Sequence, residues 1–446
     1  MSGDLLIRGG RLIDPGSGVD AMLDVLIREG RVAAVGADLG GVDAPVLEAV
    51  GRIVAPGFVD LHTHVREPGQ EYKETVASGM AAAARGGFTT ICAMPNTEPA
   101  MDGPPVVAQV QEAARGGPAR VLCVGAVTRG RAGERLAELA ELRDAGVVAF
   151  SDDGDAIASG TLARRAFEYA SDLGLPIAEH CEDPALAEGG VMHEGVVSTR
   201  LGLRGQGALA EVSIVERDLR LAEAAGARLH ICHISARESC EAVAEAKARG
   251  VAVTAEVTPH HLLLTDAAVA GPNGAAAAAS PGGLRYDTNA KVNPPLRSGE
   301  HVAACLEALR AGVIDAVATD HAPHTVTDKQ CEFDRAAFGI SALETAWGVL
   351  GALIAWGELP LDMAIERLTW GPARAWDLDR VVPGLGRLAV GSPGDVAVLD
   401  PSSRWTVEPE RFASKGKNTP LAGMDLVGSV VATVSGGRVV WGEGAS

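Results

Sequence analysis

The sequence predicts an α/β fold in which a (β/α)8 TIM-like barrel carries a small β-sandwich built from both chain termini. Three observations predict this class. Short apolar strands alternate with helical stretches through the middle of the chain, as in a parallel sheet whose connections are helices. The two ends of the chain are instead rich in strands and glycine-containing turns. Histidine or aspartate follows five of the eight predicted central strands, and barrels of this class carry their reactive groups at that end.

The N-terminal stretch, residues 4–55, has the pattern of a set of short strands. Apolar segments flank Gly9-Gly10 and again flank Glu29-Gly30, and each arrangement predicts a β-hairpin. The C-terminal stretch repeats the pattern around Gly436-Gly437. We therefore expect two sandwich segments around a central barrel, with residues 1–55 and 386–446 in the sandwich and residues 56–385 in the barrel.

The middle of the chain contains eight predicted strands separated by helical stretches such as Thr161–Leu173. The first strand ends at Leu61, and the others are Phe88–Met94, Arg120–Val127, Gly146–Phe150, Leu175–Ala178, Ala227–Ile231, Val251–Val257 and Ile314–Thr319. Eight such units over about 300 residues favour a closed barrel over a doubly wound sheet. No Gly-x-Gly-x-x-Gly follows the first strand, which also argues against the doubly wound alternative. The segment Gly271–Gly283, with five consecutive alanines, predicts a surface loop.

Composition and charge exclude several classes of protein. The formal net charge of −19 argues against a protein that binds nucleic acid or an anionic membrane. No apolar stretch is long enough to span a bilayer, and no apolar leader opens the chain. Seven cysteines without paired spacing predict reduced thiols. These features together predict a cytoplasmic protein.

Two histidines, His62 and His64, end the first predicted barrel strand. On an extended strand, residues two apart point to the same side, so both imidazoles can face one point. Of the eleven histidines, six lie at or just beyond strand ends: His62, His64, His180, His233, His321 and His324. Asp152-Asp153 follow the fourth strand and Asp320 follows the eighth. The sequence therefore predicts a cluster of histidines and aspartates at one end of the barrel.

Neutral imidazole and carboxylate groups are ligands for zinc-like divalent ions. Four histidines with two aspartates exceed one tetrahedral site, and this number suits two ions that share a carboxylate. His230 alternates away from His233 along its strand, so we expect it in the core or supporting a ligand. The pair His260-His261, after the seventh strand, could belong to a functional site or be an ordinary structural pair. The structural interpretation is favoured.

Candidate groups for holding a substrate lie at the same strand ends. Arg66 is the best anchor for a carboxylate, because its planar fork binds both oxygens. Asn96 and Asn293 offer amide donors and acceptors. Both asparagines neighbour a proline, so ordinary turn chemistry is an equally good explanation for them.

Seven motifs resemble those of one family. They are Asp60–Gly69, Met94–Thr97, Phe150–Gly154, Glu179–Asp183, His230–Ser235, Val292–Arg297 and Ala318–His324. In order and spacing they are similar to the dihydroorotases, of the longer bacterial type with a β-sandwich beside the barrel, in the amidohydrolase superfamily. The resemblance runs essentially from end to end of the chain.

The resemblance implies an activity and a set of roles. The family interconverts L-dihydroorotate and N-carbamoyl-L-aspartate in de novo pyrimidine (UMP) synthesis. It implies two zinc ions per chain: the more buried one on His62, His64 and Asp320, the second on His180 and His233, and Asp153 bridging both. Family spacing selects Asp153 over Asp152, and Asp320 is also the implied catalytic base and acid. The implied substrate-binding residues are His64, Arg66, Asn96, Asn293, His324, Phe338 and Gly339.

Two alternatives accompany this interpretation. Hydantoinases and allantoinases resemble the chain too, but they usually carry a carboxylated lysine where this chain has Asp153. The second alternative is a non-catalytic dihydroorotase-like subunit that assembles with aspartate transcarbamoylase. Such proteins lose metal ligands, whereas this chain keeps all six. The expected partners are a small-molecule substrate and a second copy of the chain in a dimer, with aspartate transcarbamoylase as a further candidate.

Overall fold

A computed structural model describes residues 3–271 and 286–442 of the chain. Eight parallel strands form its central sheet, and their order in the sheet is their order in the chain. The strands are Phe58–Thr63, Phe88–Ala93, Arg120–Ala126, Ala149–Ser151, Ile177–Glu179, Leu229–Ile231, Val253–Val257 and Ala316–Val317. A parallel bridge between Thr63 and His321 joins the two edges of the sheet. The predicted closed barrel is therefore confirmed, whereas the predicted loop Gly271–Gly283 lies, beyond Gly271, outside the described residues.

Helices connect the barrel strands and continue the chain after the last of them. They are Val76–Arg85, Pro104–Ala113, Leu139–Asp144, Gly160–Leu173, Pro184–Ala187, Val196–Leu201, Leu209–Ala225, Arg237–Ala248, Pro259–Leu263, Gly299–Arg310, Val326–Lys329, Ala346–Ala355, Leu361–Leu368 and Trp370–Ala375. The helix Gly160–Leu173 shows why they form: the Ser159 hydroxyl caps its first turn, and Gly174, at φ +69°, ends it. Its apolar residues recur at helical spacing and are buried. Within the described ranges, no helix has the length and hydrophobicity needed to cross a bilayer.

Two further sheets combine both ends of the chain. The four-stranded sheet has the order Arg31–Gly36, Asp24–Arg28, Leu5–Arg8, Val46–Glu48, and the six-stranded sheet has the order Arg438–Gly442, Asp425–Ser435, Val396–Thr406, Ile53–Pro56, Arg11–Asp14, Val19–Met22. Side chains of both sheets share one apolar core, which includes Ile27 and Val398. This arrangement is the predicted sandwich of both termini. The segment boundaries 1–55, 56–385 and 386–446 remain predictions.

One predicted hairpin is wrong. Leu5–Arg8 and Arg11–Asp14 flank Gly9-Gly10 but belong to different sheets, so the two glycines form a corner between the sheets. Gly9 has φ +74°, and a Cβ atom at Gly10 would lie 2.5 Å from the Val54 side chain. The pairs around Glu29-Gly30 and Gly436-Gly437 are antiparallel, as predicted.

The first apolar run of the barrel region is divided between two sheets. Ile53–Pro56 pairs with strands of the sandwich, whereas Phe58–Thr63 is the first barrel strand. Gly57 lies between them, where a Cβ atom would approach the Thr89 hydroxyl oxygen to 2.2 Å. The chain therefore passes directly from the sandwich to the strand that carries His62.

Candidate metal centre

Side chains from five barrel strand ends meet in one buried cluster. His62 Nε2 lies 3.3 Å from Asp153 Oδ2 and 3.6 Å from Asp320 Oδ1. His64 Nε2 lies 3.0 Å from Asp320 Oδ1 and 3.5 Å from Asp153 Oδ2. The two histidines thus face the same carboxylates, as their spacing on the strand predicts. We call His62, His64 and Asp320 the first ligand group.

The second ligand group, His180 and His233, lies on the other side of Asp153. His180 Nδ1 is 3.0 Å from His233 Nε2 and 3.5 Å from Asp153 Oδ1. His233 Nε2 is 3.2 Å from the same oxygen. Asp153 therefore presents one carboxylate oxygen to each ligand group.

The neighbouring acid, Asp152, faces away from this cluster. Its carboxylate accepts hydrogen bonds from the Thr128 backbone N–H at 3.0 Å and from the Thr128 hydroxyl at 2.5 Å. Asp152 thus holds the loop that follows the fourth strand, while Asp153 occupies the centre. This geometry favours the choice of Asp153 over Asp152.

The chemistry of the donor atoms fits divalent metal ions. Two buried triads, one of His62, His64 and Asp153 and one of Asp153, His180 and His233, have ligand atoms within 4.8 Å of one another. His62 Nε2 is buried without a hydrogen-bond partner among the described residues, although it faces carboxylates. An unsatisfied buried nitrogen is costly, and a cation between it and the carboxylates would satisfy all of them. Imidazole and carboxylate ligands at these separations suit zinc-like ions.

Charges within the cluster favour the ionised state of its acids. Burial alone would raise the pKa of Asp320, but the hydrogen bond from His64 and the charge of His62 outweigh it and hold this pKa below its usual range. The pKa of Asp153 is lowered in the same way, because the charge of His62 and hydrogen bonds from the histidines outweigh burial. Burial lowers the pKa of His180, but Asp153 and Glu182 raise it to about 10. Metal binding here would therefore release protons from histidines.

Three of the four candidate ligand histidines have a polar partner at the ring nitrogen that points away from the centre. His62 Nδ1 lies 2.7 Å from the Glu256 carboxylate, and His64 Nδ1 lies 2.8 Å from Asn96 Oδ1. His180 Nε2 lies 3.3 Å from Asn293 Nδ2. Sequence reasoning missed Glu256, although an acid within the apolar strand Val253–Val257 was a usable signal.

A cavity of about 210 Å³ opens over the centre. It is lined by His64, Arg66, Asn96, Asp153, Gly154, His180, His233, Asn293, Asp320, Ala322, His324, Phe338 and Gly339. All seven residues that the sequence predicts to bind substrate are in this lining. Gly154 and Ala322 are additional lining residues that the sequence did not indicate.

Arg66 is poorly paired for a buried cation. Its side chain contacts the Pro323 carbonyl oxygen and His324 Nε2, each at 3.4 Å, and it forms no salt bridge within the described residues. The residue is 8% exposed, and burial lowers its pKa to about 10. A guanidinium that lines a cavity with unused donors is a binding site for an anion such as a carboxylate.

The backbone at the site adopts left-handed conformations. Arg66, His233 and Asp320 have φ of +61°, +32° and +45°. Such conformations are unfavourable for residues with a Cβ and concentrate at functional sites. Asp60 helps to hold the backbone before Asp320, because its carboxylate accepts hydrogen bonds from the Thr319 backbone N–H at 2.8 Å and from the Thr319 hydroxyl at 2.6 Å.

The remaining histidines lie outside the cavity lining. His321 Nδ1 accepts from the Ala342 backbone N–H at 3.1 Å, although the sequence places His321 at a strand end. His261 Nε2 lies 3.0 Å from the Pro294 carbonyl oxygen, which agrees with the structural interpretation of His260-His261. His230 is buried and lies 3.1 Å from the carboxylate of Glu256, the partner of His62, which agrees with the expected core or supporting position.

Comparison with known proteins gives the family. The family described as Dihydro-orotase-like matches residues 51–239. A dihydroorotase of Anaeromyxobacter sp. (strain K) is 51% identical over 446 residues, with 100% of this chain and 99% of the relative covered. A dihydroorotase of Pelotomaculum thermopropionicum is 48% identical over 437 residues, with 98% of each chain covered.

Solved structures show the same architecture. The L-hydantoinase (dihydropyrimidinase) of Arthrobacter aurescens is similar with a TM-score of 0.85 and 26% identity, over 99% of this chain and 96% of that chain. A dihydropyrimidinase from Brevibacillus agri, with a TM-score of 0.83 and 24% identity, is similar in fold. The fold is thus shared with cyclic amide hydrolases, whereas the full-length sequence relatives are dihydroorotases. The chain belongs to the dihydroorotase family.

Proposed function

We propose that this chain is a dihydroorotase that interconverts L-dihydroorotate and N-carbamoyl-L-aspartate in pyrimidine synthesis. One observation carries the proposal: of the cluster of four histidines and two aspartates, every member except the fully buried His62 lines the same cavity as the poorly paired guanidinium of Arg66. Such a cavity combines a site for hydrolysis of an amide with an anchor for a carboxylate. Dihydroorotate has both a cyclic amide and a carboxylate.

We further propose that two zinc ions bind in the centre. His62, His64 and Asp320 would hold one ion, His180 and His233 the other, and Asp153 would contact both. When bound, such ions polarise a carbonyl group and lower the pKa of water, so that a nucleophile is available near neutral pH. The separate carboxylate oxygens of Asp153, each facing one ligand group, support this assignment.

Asp320 is the proposed general base and acid. Its carboxylate is ionised and lines the cavity, so it can accept a proton from the water that attacks the ring amide carbon. It then delivers that proton to the ring nitrogen as the carbon–nitrogen bond breaks. In the direction of ring closure, the same carboxylate takes a proton from the attacking ureido nitrogen and delivers it to the oxygen that departs as water.

Other residues of the cavity would orient the substrate. Arg66 would bind the substrate carboxylate through its fork and hold the amide carbon over the centre. His64, Asn96 and Asn293 present polar groups to the same space, and the remaining proposed contacts are His324, Phe338 and Gly339. His324 Nε2 donates to the Phe338 carbonyl oxygen at 2.8 Å, which joins two of these contacts.

A side-by-side assay tests the substrate class. Purified, zinc-loaded protein is incubated with dihydroorotate, hydantoin and allantoin between about pH 6 and pH 9. We expect hydrolysis of dihydroorotate alone, and loss of that activity after removal of metal. Hydrolysis of hydantoin with none of dihydroorotate would contradict the proposal.

Hydantoin hydrolysis is a second candidate, because the L-hydantoinase of Arthrobacter aurescens shares the fold at 26% identity. Two features oppose it. The residue that faces both ligand groups is Asp153 rather than a lysine. Arg66 also provides a carboxylate anchor, which a neutral ring would not use.

Assembly and location are separate proposals. We propose a homodimer in the cytoplasm, with aspartate transcarbamoylase as a candidate partner. Light scattering of the purified protein measures the oligomeric state, and co-purification with the transcarbamoylase tests whether that partner binds. The presence of all six candidate ligands opposes the alternative of a purely non-catalytic subunit.

A further inference from the structure

Glu256 lies on the seventh barrel strand, Val253–Val257, and its carboxylate contacts a histidine on the first strand, from which it is separated by the eighth strand. We propose that Glu256 is a positioning residue that sets which ring nitrogen of His62 faces the metal centre. The inference rests on the proposed metal-dependent function and adds to it a residue outside the cavity lining. Through His62, Glu256 would affect the affinity for the metal ion and would take no part in a chemical step.

The geometry at His62 is asymmetric. Its Nδ1 lies 2.7 Å from Glu256 Oε1, whereas its Nε2 has no hydrogen-bond partner among the described residues and faces Asp153. An ionised carboxylate accepts hydrogen bonds and donates none, so the proton of a neutral His62 ring resides on Nδ1. The lone pair of Nε2 is then directed at the centre, as metal ligation requires.

Both oxygens of Glu256 are used, so the carboxylate is fixed in place. Oε2 lies 3.1 Å from His230 Nε2, and His230 Nδ1 lies 2.8 Å from the Thr254 hydroxyl oxygen. Glu256 accepts from both rings, and the Thr254 hydroxyl donates to His230. Glu256, His62 and His230 are each fully buried, so water does not compete for these hydrogen bonds.

The outward nitrogens of His64 and His180 have weaker partners. His64 faces the amide oxygen of Asn96 at 2.8 Å, and His180 faces the amide nitrogen of Asn293 at 3.3 Å and the Glu182 carboxylate at 3.8 Å. A carboxylate raises the basicity of the imidazole that it contacts more than an amide does, and so strengthens the metal bond. We therefore expect the effect of Glu256 to be confined to the ion that His62 binds.

Zinc affinity of the full chain tests this role. The zinc dissociation constants of wild type and of Glu256→Gln are measured by competition with a chromophoric chelator, together with the absorption spectrum of the cobalt-substituted protein. In Glu256→Gln we expect about a 10- to 100-fold weaker affinity for one of the ions and an altered cobalt spectrum. Thr254→Val is the matched control, since it removes the far end of the same hydrogen-bonded chain, and its zinc affinity should equal that of wild type.

The thermal midpoint of the metal-free proteins separates positioning from general stability. A positioning role predicts similar midpoints for Glu256→Gln and Thr254→Val but different zinc affinities. Equal zinc affinity and an unchanged cobalt spectrum in Glu256→Gln would overturn the inference, as would equal losses in both variants. If Glu256→Gln does not fold, Glu256→Asp keeps the charge but withdraws it from His62, and we expect the same weakening. A wild type that binds no zinc would instead remove the proposed function.

Discussion

His62 lies within the first barrel strand and is held by Glu256 on the seventh strand. His180 and His233, in contrast, follow short strands and are held from loops and a helix. In the first ligand group, His62 is supported by Glu256 from another strand. In the second group, the outward nitrogen of His180 faces Asn293, which lies outside the barrel strands. The backbone of a barrel strand is hydrogen-bonded to a neighbouring strand on each side. We therefore expect the position of His62 to be more rigid than those of His180 and His233.

A separate polar network supports the second ligand group. Ser235, two residues beyond His233, donates through its backbone N–H to Glu211 at 3.1 Å, and Arg297 donates to the Ser235 hydroxyl at 3.0 Å. Arg297 also pairs with Glu211 at 3.3 Å. One carboxylate, Asp153, therefore joins a group that contains a strand residue, His62, to a group whose two histidines both follow strands.

Removing the Asp153 carboxylate should have the largest effect on zinc content and turnover. Asp153→Ala should lose bound zinc from both groups and lower turnover of dihydroorotate by about 10³-fold or more, because the metal supplies several kcal/mol of stabilisation. Metal analysis and a turnover assay measure the two effects. Asp152→Asn is the control, since that side chain faces Thr128, and it should retain zinc. Full zinc content in Asp153→Ala would break the comparison.

Asp320→Asn distinguishes the two proposed roles of Asp320, which are metal binding and proton transfer. The amide keeps the shape of the side chain but accepts no proton, so turnover should fall by about 10²- to 10⁴-fold while KM changes little. Steady-state kinetics of the zinc-loaded variant measure this. Near-normal turnover in fully loaded protein would assign the base role elsewhere.

Arg66→Met tests the proposed binding site for the substrate carboxylate, which lies outside both ligand groups. Loss of a charge-assisted pair of about 1.5–3 kcal/mol should raise KM for dihydroorotate about 10- to 100-fold and leave zinc content unchanged. Arg66→Lys should fall between wild type and Arg66→Met, because an ammonium keeps the charge without the fork. An unchanged KM would mean that another group binds the substrate carboxylate.

Chelation tests the difference in rigidity directly. Dialysis of wild type against a weak chelator should remove the ion of the second group about tenfold faster than that of the first, since its ligands have weaker partners. His180→Ala should lack the fast phase from the start. Loss of both ions in a single phase would remove the distinction between the groups.

The smallest expected effect is on the pH dependence of stability through Glu211. Burial alone would raise its pKa, but Arg297 and the hydrogen bonds from Ser235 outweigh burial and hold this pKa below its usual value. A carboxyl with a lower pKa in the folded state stabilises it above the unfolded pKa, and this contribution disappears as the pH falls through the folded value. The Tm difference between metal-free wild type and Glu211→Gln should therefore be larger at about pH 7 than at about pH 4. A Tm difference that does not change with pH would show that Glu211 is held by packing alone.

Much of this protein is determined by its sequence alone. The alternation of apolar strands and helices predicted the eight-stranded barrel, because side-chain periodicity is a local property. The positions of His62, His64, Asp153 and Asp320 at or just beyond strand ends predicted their convergence, because parallel barrel strands end at one rim. All seven predicted substrate contacts line the cavity as well.

Only the tertiary structure decided which strands pair and which groups support the ligands. Turn residues at Gly9-Gly10 predicted a hairpin, but the sheet that each strand joins depends on burial against distant segments such as Val54. Glu256 is 194 residues from His62, and no local pattern reports a contact across the barrel. The left-handed backbone of His233 and Asp320 likewise depends on surrounding contacts, because neither residue type prefers it. Sequence patterns specify which face of an element is buried, whereas partners across a closed barrel are selected by the packing of the whole chain.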